Sequence, residues 1–148
     1  MNTPINTTES LSPELEARIR ERISSIPIVH SLGFVSMHFD VGVCEAEVTH
    51  RKEFDGIFES FHGGMLMTVA DTIACFAIMS LTGAEQPMAT TDMNIRFLAP
   101  CRSNVRAVAK VIQLGKSLCP VQINLYDIDN IHVAVAQVTY MRLKPRTV

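Results

Sequence analysis

The sequence predicts an α+β domain in which an antiparallel sheet curls around one long apolar helix. Three observations predict it. Phe61 to Leu81 reads FHGGMLMTVADTIACFAIMSL, and from Met65 onward its only polar side chains are Thr68, Asp71, Thr72 and Ser80. A helix apolar on nearly every face is normally buried. Ala89 to Leu98 alternates strictly between two side-chain sets, as a strand does. Three more strand-like runs then follow with short turns between them, enough for a single sheet to curl around the helix. The 148 residues suit one domain with a sizeable core.

Taken in order, residues 1–11 are polar and Thr/Ser-rich and read as a flexible tail before a single domain over 12–148. Ser12-Pro13 supplies an N-cap and a first helical position. Glu14 and Glu16 suit the positive end of that helix. Leu15, Ile19, Ile23 and Ile26 form its apolar stripe, which is expected to stop before Pro27. Two strands follow, Gly33–Phe39 and Val41–Val48, around a turn at Asp40-Val41-Gly42. Arg51 to Phe61 has no period and reads as a loop. The central helix ends where Thr82-Gly83 places a glycine near its C-terminus. In the next strand Thr91, Met93, Ile95 and Phe97 point one way and Thr90, Asp92, Asn94 and Arg96 the other. Arg106–Leu114, Leu118–Asp127 and Ile131–Leu143 complete an expected four-strand meander, with turns at Gly115-Lys116 and Asp127–Asn130. Pro120 implies a bulge or an edge in its strand. The run Ile131–Met141 is apolar on both faces, as for a strand covered on each side.

Composition narrows the function. No basic segment followed by an apolar run opens the chain, so no export signal is read. The apolar helix carries an acid and is short for a membrane span. Cys44, Cys75, Cys101 and Cys119 are widely spaced and read as reduced thiols of a cytoplasmic protein. His30, His38, His50 and His132 show no metal-ligand spacing. The net charge of −2 hides an asymmetry: residues 1–95 hold 5 Lys/Arg against 13 Asp/Glu, and residues 96–148 hold 8 against 2. A basic C-terminal half suits a phosphorylated small ligand or an acidic protein, and equally a solvated sheet face. The basic residues are scattered and aromatics few, which argues against nucleic acid. The methionines, among them Met65, Met67 and Met79, suit either an adaptable apolar pocket or core filling.

The chemistry centres on Asp71. A buried carboxylate is costly unless paired or hydrogen-bonded, so Asp71 is either a structural acid, protonated or bonded by Thr68, or a functional one. His62-Gly63-Gly64 favours the second. The first N–H groups of a helix lack intrahelical partners, and glycines let a ligand approach them closely. Such a terminus can hold a developing negative oxygen. Gly64 and Asp71 lie seven residues apart, roughly 10 Å along a helix axis. Since catalytic contacts are about 3 Å long, one reacting carbonyl cannot meet both on one helix. A site using both needs Asp71 from a second copy, which implies a homodimer with two composite sites.

FHGGMLMTVADTIACFA, with TTDMNIRFLAP and QLGKSL after it, resembles the hot-dog-fold acyl-CoA thioesterases, and within them the PaaI-type branch of the 4-hydroxybenzoyl-CoA thioesterase superfamily. The resemblance covers about residues 30–143. It implies a hot-dog fold, a sheet wrapped round the central helix to which this chain adds its N-terminal helix, homodimers that often pair into homotetramers, and hydrolysis of an acyl-CoA to acid and CoA without metal or redox cofactor. By motif, Asp71 matches the catalytic acid, as nucleophile or as base for water. Gly63 with Gly64 matches the backbone donor to the thioester oxygen, and His62 the residue that orients it. Thr90 falls where relatives place a Ser or Thr that positions water. Gly115, Lys116 and Ser117 match a turn lying against the nucleotide of CoA. One departure stands out: where many relatives carry an Asn some six residues before this histidine, Gly56 is found, with Asp55, Glu59 and Ser60 nearby as substitutes. The alternatives are a non-catalytic acyl-CoA-binding or sensory module and a hydratase on the same fold; His62 beside Asp71 mimics a hydratase dyad poorly. Neither membrane nor nucleic-acid partners are expected.

Overall fold

The computed structural model of the chain describes residues 4–147. Helix α1 spans Pro13–Ser24, and the Ser12 hydroxyl accepts from the Leu15 N–H at 3.3 Å. Ile19 and Ile23 on its inner stripe are buried. Pro27 ends that helix and also opens a second, α2, over Pro27–Leu32. Six residues are too few to show a helical period, so α2 is not expected from the sequence; proline at its first position is its one local signal. Of the stretch read as a tail, Leu11 lies in the core, Ser10 bridges Asp40, and the Glu9 carbonyl accepts from the Val41 N–H at 2.9 Å. Apolar anchors at Ile5 and Leu11 hold it against the domain.

Six strands form one antiparallel sheet: β1 Phe34–Asp40, β2 Val43–Val48, β3 Met88–Phe97, β4 Val105–Val111, β5 Leu118–Tyr126 and β6 His132–Arg142. Their spatial order is β1-β2-β4-β5-β6-β3. The expected four-strand meander is therefore only three strands long, β4-β5-β6, and β3 pairs with β6 at the far edge. The reason lies in the helix between β2 and β3. It crosses the concave face, leaving β4 to pair with β2 and delivering β3 to the opposite side.

That helix, α3, runs over Gly63–Thr82 and packs against every strand, most extensively β4 and β2. Ile73 and Ile78 are among its fully buried side chains. Burial of each contributes about 1.5–3 kcal/mol. At its C-terminus Gly83 takes φ 85° and donates its N–H to the Met79 carbonyl at 2.8 Å, a conformation that side chains disfavour. At 20 residues with mean hydropathy 1.7, the helix is long and apolar enough to cross a membrane by length and composition. Shortness therefore does not rule out a span; the sheet wrapped around it identifies it as a core helix.

The wrap is incomplete. Leu66, Val69, Ala70, Ile73 and Ala74 are buried, whereas Gly64 is exposed and Met67, Thr68, Asp71, Thr72 and Cys75 are only half-buried. Spaced three and four apart, these residues form one stripe along the helix. The helix is buried over most of its surface, as expected, and the remaining open face carries Asp71.

Two strand expectations also change. Pro120 lies in an interior strand with no bulge at its position. It is tolerated because the β4–β5 ladder has already ended at Val111–Val121, and the Pro120 carbonyl still accepts from the Ile112 N–H at 2.8 Å. In β6 only the helix-facing set, Ala134, Ala136, Val138 and Tyr140, is uniformly buried; on the other face Gln137 and Met141 are exposed.

Candidate active site

Asp71 is held by groups from two strands. The Thr90 hydroxyl donates to Asp71 Oδ1 at 2.8 Å. The Tyr140 hydroxyl lies 2.9 Å from the same Oδ1 and 2.8 Å from the Asp71 backbone carbonyl, with one proton to serve both acceptors. Thr68, the structural partner the sequence offered, instead donates to the Gly64 carbonyl at 2.9 Å. Burial first, and then the Cys75 thiol, push the Tyr140 phenol far above its ordinary value. The Cys75 thiol is itself raised to about 11, by burial and then by the Asp71 carboxylate. Both groups are therefore protonated at neutral pH, and the phenol remains a donor.

Strict alternation puts Thr90 on the face opposite Met93. The structure puts both on the helix side. Thr90 pairs with Tyr140 and Met93 with Val138, while Thr91 is an extra residue between the Thr90 and Asp92 pairings. The Thr91 hydroxyl turns back to the Thr139 carbonyl at 3.2 Å. A bulge of this kind re-aims a side chain beside a site, and here it aims Thr90 at Asp71.

The start of α3 forms a separate feature. His62 caps the helix, and its Nδ1 accepts from the Gly64 N–H at 2.9 Å. The two glycines therefore differ: Gly64 has spent its donor, whereas the Gly63 N–H meets no acceptor among the described residues. The free donor at this terminus is Gly63. A Cβ on Gly63 would lie 2.8 Å from Phe97 Cζ, so the glycine admits the Phe97 ring against the helix end. A groove of about 500 Å³ opens here between Gly63, Ser60, Phe58, Phe97, Leu98 and Arg102. Phe58, Phe97 and Leu98 are 81, 52 and 54 % exposed, giving an apolar rim.

The loop leading in is fixed by backbone bonds from Phe61 to Cys101 and from His62 to Phe54, both 2.7 Å. Gly56 faces His62, with 3.7 Å from a built Cβ to His62 Cδ2. Of the three substitutes for the missing Asn, Asp55 is engaged by His50 Nε2 at 2.6 Å, Glu59 is exposed, and Ser60 alone lines the groove with Gly63.

Gly115, Lys116 and Ser117 form the β4–β5 turn. The Arg142 guanidinium ties it down, donating to the Gly115 carbonyl and to Gln86 Oε1 at 3.2 Å each. Lys116 is exposed. The Leu118–Met141–Ala89 row adjoins the Cys119–Tyr140–Thr90 row across the sheet, so the turn sits at the Asp71 end rather than the Gly63 end. A Cβ on Gly115 would lie 2.3 Å from the Leu118 carbonyl oxygen. Gly115→Ala is accordingly expected to destabilise the fold by about 1–3 kcal/mol through forced backbone movement, read as a lowered midpoint in urea with an unchanged slope.

Sequence reasoning brought out Asp71, His62, Gly63, Gly64 and Thr90 but missed Tyr140. Its buried, helix-facing place in β6 looked like core; a hydroxyl among apolar neighbours was the available signal, since a buried Tyr usually finds a partner. The structure joins Asp71, Thr90 and Tyr140 in one cluster and His62 with both glycines in another. Gly63 and Asp71 remain at separate points of one helix. Among the described residues no three metal-ligating side chains come together, and all four cysteines are unpaired.

A six-stranded antiparallel sheet wrapped around a single long helix, behind an extra N-terminal helix, defines a hot-dog protein with an acid on the helix. Residues 58–134 match the thioesterase superfamily, and the chain belongs to that family of thioester hydrolases. It is 26 % identical over 120 residues to human acyl-coenzyme A thioesterase 13, covering 80 % of this chain and 83 % of the relative. Its fold superposes on the PaaI protein of the E. coli phenylacetic acid degradation operon with a TM-score of 0.82 at 22 % identity, over 94 % of this chain and 100 % of that one. A thioesterase from Haemophilus influenzae superposes with a TM-score of 0.76 at 26 % identity, over 83 % and 87 % of the two chains.

Proposed function

We propose that the protein hydrolyses acyl-CoA thioesters to free acid and CoA in two composite sites of a homodimer. The observation that carries this reading is the open stripe of α3, which presents Asp71 with Oδ1 held by Thr90 and Tyr140 and with Oδ2 free of partners among the described residues. The thioester carbonyl accepts from the Gly63 N–H of one protomer, which His62 and Gly64 fix in place by closing the cap. Asp71 of the other protomer attacks that carbonyl or takes a proton from water that does so, and Thr90 steadies the carboxylate and the water. The C–S bond breaks and CoA leaves as thiolate, taking up the proton released from water; where Asp71 is the nucleophile, water then cleaves the acyl–Asp71 anhydride to give free acid and restore the carboxylate. Gly115, Lys116 and Ser117 hold the nucleotide end, with Lys116 free to meet phosphate.

Several features support the assembly. The unpaired side of β3 is a ten-residue sheet edge with most of its residues exposed; an edge of that length is a template for pairing with a second copy. A twofold that joins two such edges sets the open faces of two α3 helices toward each other. The reading extends to a homotetramer of two such dimers, to a cytoplasmic setting, for which unpaired cysteines argue, and to chemistry with no resident metal or redox group.

Release of free thiol from short, long and aromatic acyl-CoAs tests the function, with turnover of at least one class expected. Gly56, lying bare against His62, favours a second reading as an acyl-CoA-binding module without hydrolysis. Saturable acyl-CoA binding with no thiol released from any member of the panel would establish that reading instead.

A further inference from the structure

We infer that Tyr140 is a positioning residue for the reaction, holding Asp71 so that Oδ2 alone is presented for chemistry; this rests on Asp71 being the catalytic acid. The geometry has three parts. Both donors that reach the carboxylate reach the same oxygen, Thr90 at 2.8 Å and Tyr140 at 2.9 Å. A carboxylate bonded through one oxygen still rotates about its side-chain torsions, but the Tyr140 hydroxyl also sits 2.8 Å from the backbone carbonyl of Asp71. The side-chain oxygen is thereby referenced to the main chain of a packed helix. Tyr140 in turn is fixed within β6 between Thr90 on β3 and Cys119 on β5, with its side chain buried. The carboxylate is thus referenced to the helix backbone and to β3 and β6, and its second oxygen meets no partner among the described residues.

Thr90 alone cannot do this. Its hydroxyl reaches Oδ1 and no backbone atom of α3, so it does not tie the carboxylate to the helix main chain. A phenol also suits the task chemically. It donates across the working pH range, whereas an imidazole at the same place would gain and lose a charge beside the acid. Within one protomer the titratable groups facing Asp71 are Tyr140 from β6 and Cys75 from its own helix, joined in the proposed pairing by His62 at the helix start of the second copy; burial keeps Tyr140 and Cys75 protonated. Neither adds a titration near the acidic limb of the rate profile.

The test uses the full chain and the acyl-CoA turned over fastest. Tyr140→Phe keeps the ring and removes the hydroxyl. The expected result is a 10- to 100-fold fall in kcat with KM within about twofold. The acidic limb of kcat/KM against pH should move to higher pH, because the ionised carboxylate has lost a donor that favoured it. Fluorotyrosine at position 140 keeps the shape and strengthens the donor, and should move that limb the other way while retaining activity. It also decides the matter should the Phe variant fail to fold. Wild-type kcat in Tyr140→Phe overturns the inference, as does a lower kcat with an unmoved acidic limb, which marks a merely structural role. Asp71→Asn, assayed alongside, separates the two levels. If it is inactive while Tyr140→Phe matches wild type, only the positioning role falls; if it is active, the underlying assignment falls.

Discussion

Asp71→Asn is expected to lower kcat for thioester hydrolysis by about 10³-fold, within the range set by loss of a general base or nucleophile, with little change in thermal stability. The substitution isolates chemistry from architecture. An Asn amide keeps an oxygen able to accept from Thr90 and Tyr140 at Oδ1, so the local frame survives. What changes is the other atom: an amide nitrogen replaces Oδ2 and has neither charge nor an available lone pair. Asp71 is only half-buried and lies on the open stripe, so the core does not depend on its charge. Asp71→Ala is the useful comparison. It should be as inactive as Asp71→Asn but less stable, because it leaves the Tyr140 hydroxyl without its side-chain acceptor. Single-turnover assays at saturating acyl-CoA give the decisive measurement. A rate for Asp71→Asn within tenfold of wild type would move the catalytic acid elsewhere.

Much of this architecture was legible in the residues, and the parts that were not share a physical cause. Apolar periodicity located α3 and each of the six strands, because burying a face imposes a local pattern. Strand order is set by which edge a chain reaches after crossing the sheet, and local pattern does not encode that. The excursion of β3 to the edge beside β6 was therefore invisible. Register behaves likewise. An alternating run from Ala89 to Leu98 gives no sign that Thr91 is extruded, yet that one residue decides whether Thr90 faces Asp71 or solvent. Asp71 itself was conspicuous, being a lone carboxylate in an apolar helix. Tyr140 was not, since in a strand reading VAVAQVTYM an aromatic side chain counts as ordinary core. The HGG motif shows glycines at a helix start, but only geometry shows that His62 consumes the Gly64 donor and leaves that of Gly63 free.

Mixing two inactive variants is expected to restore activity. Gly63→Val and Asp71→Asn damage different halves of the proposed site, and each homodimer carries two sites broken in one half. A mixed dimer has one site with both defects and one with neither, because its intact Gly63 comes from the Asp71→Asn chain and its intact Asp71 from the Gly63→Val chain. With random pairing, half the dimers are mixed and each has one working site, so activity should recover to roughly a quarter of wild type in a twofold assembly. Gly63→Val suits the purpose because its new side chain meets the far end of the Phe97 ring, at 2.8 Å from a built Cβ, and that ring is half exposed and able to yield. The fold is kept while bulk covers the one free amide at the helix start. The distance argument makes the outcome sharp. On a single α3 the Gly63 amide and Asp71 are separated by more than two turns, roughly 12 Å of rise, whereas a reacting carbonyl spans about 3 Å to each. Co-refolding the variants at equal concentration and assaying thiol release reads the result directly. Activity no greater than the average of the two homodimers would mean that each chain acts on its substrate alone, and the helix-to-helix arrangement would have to be given up.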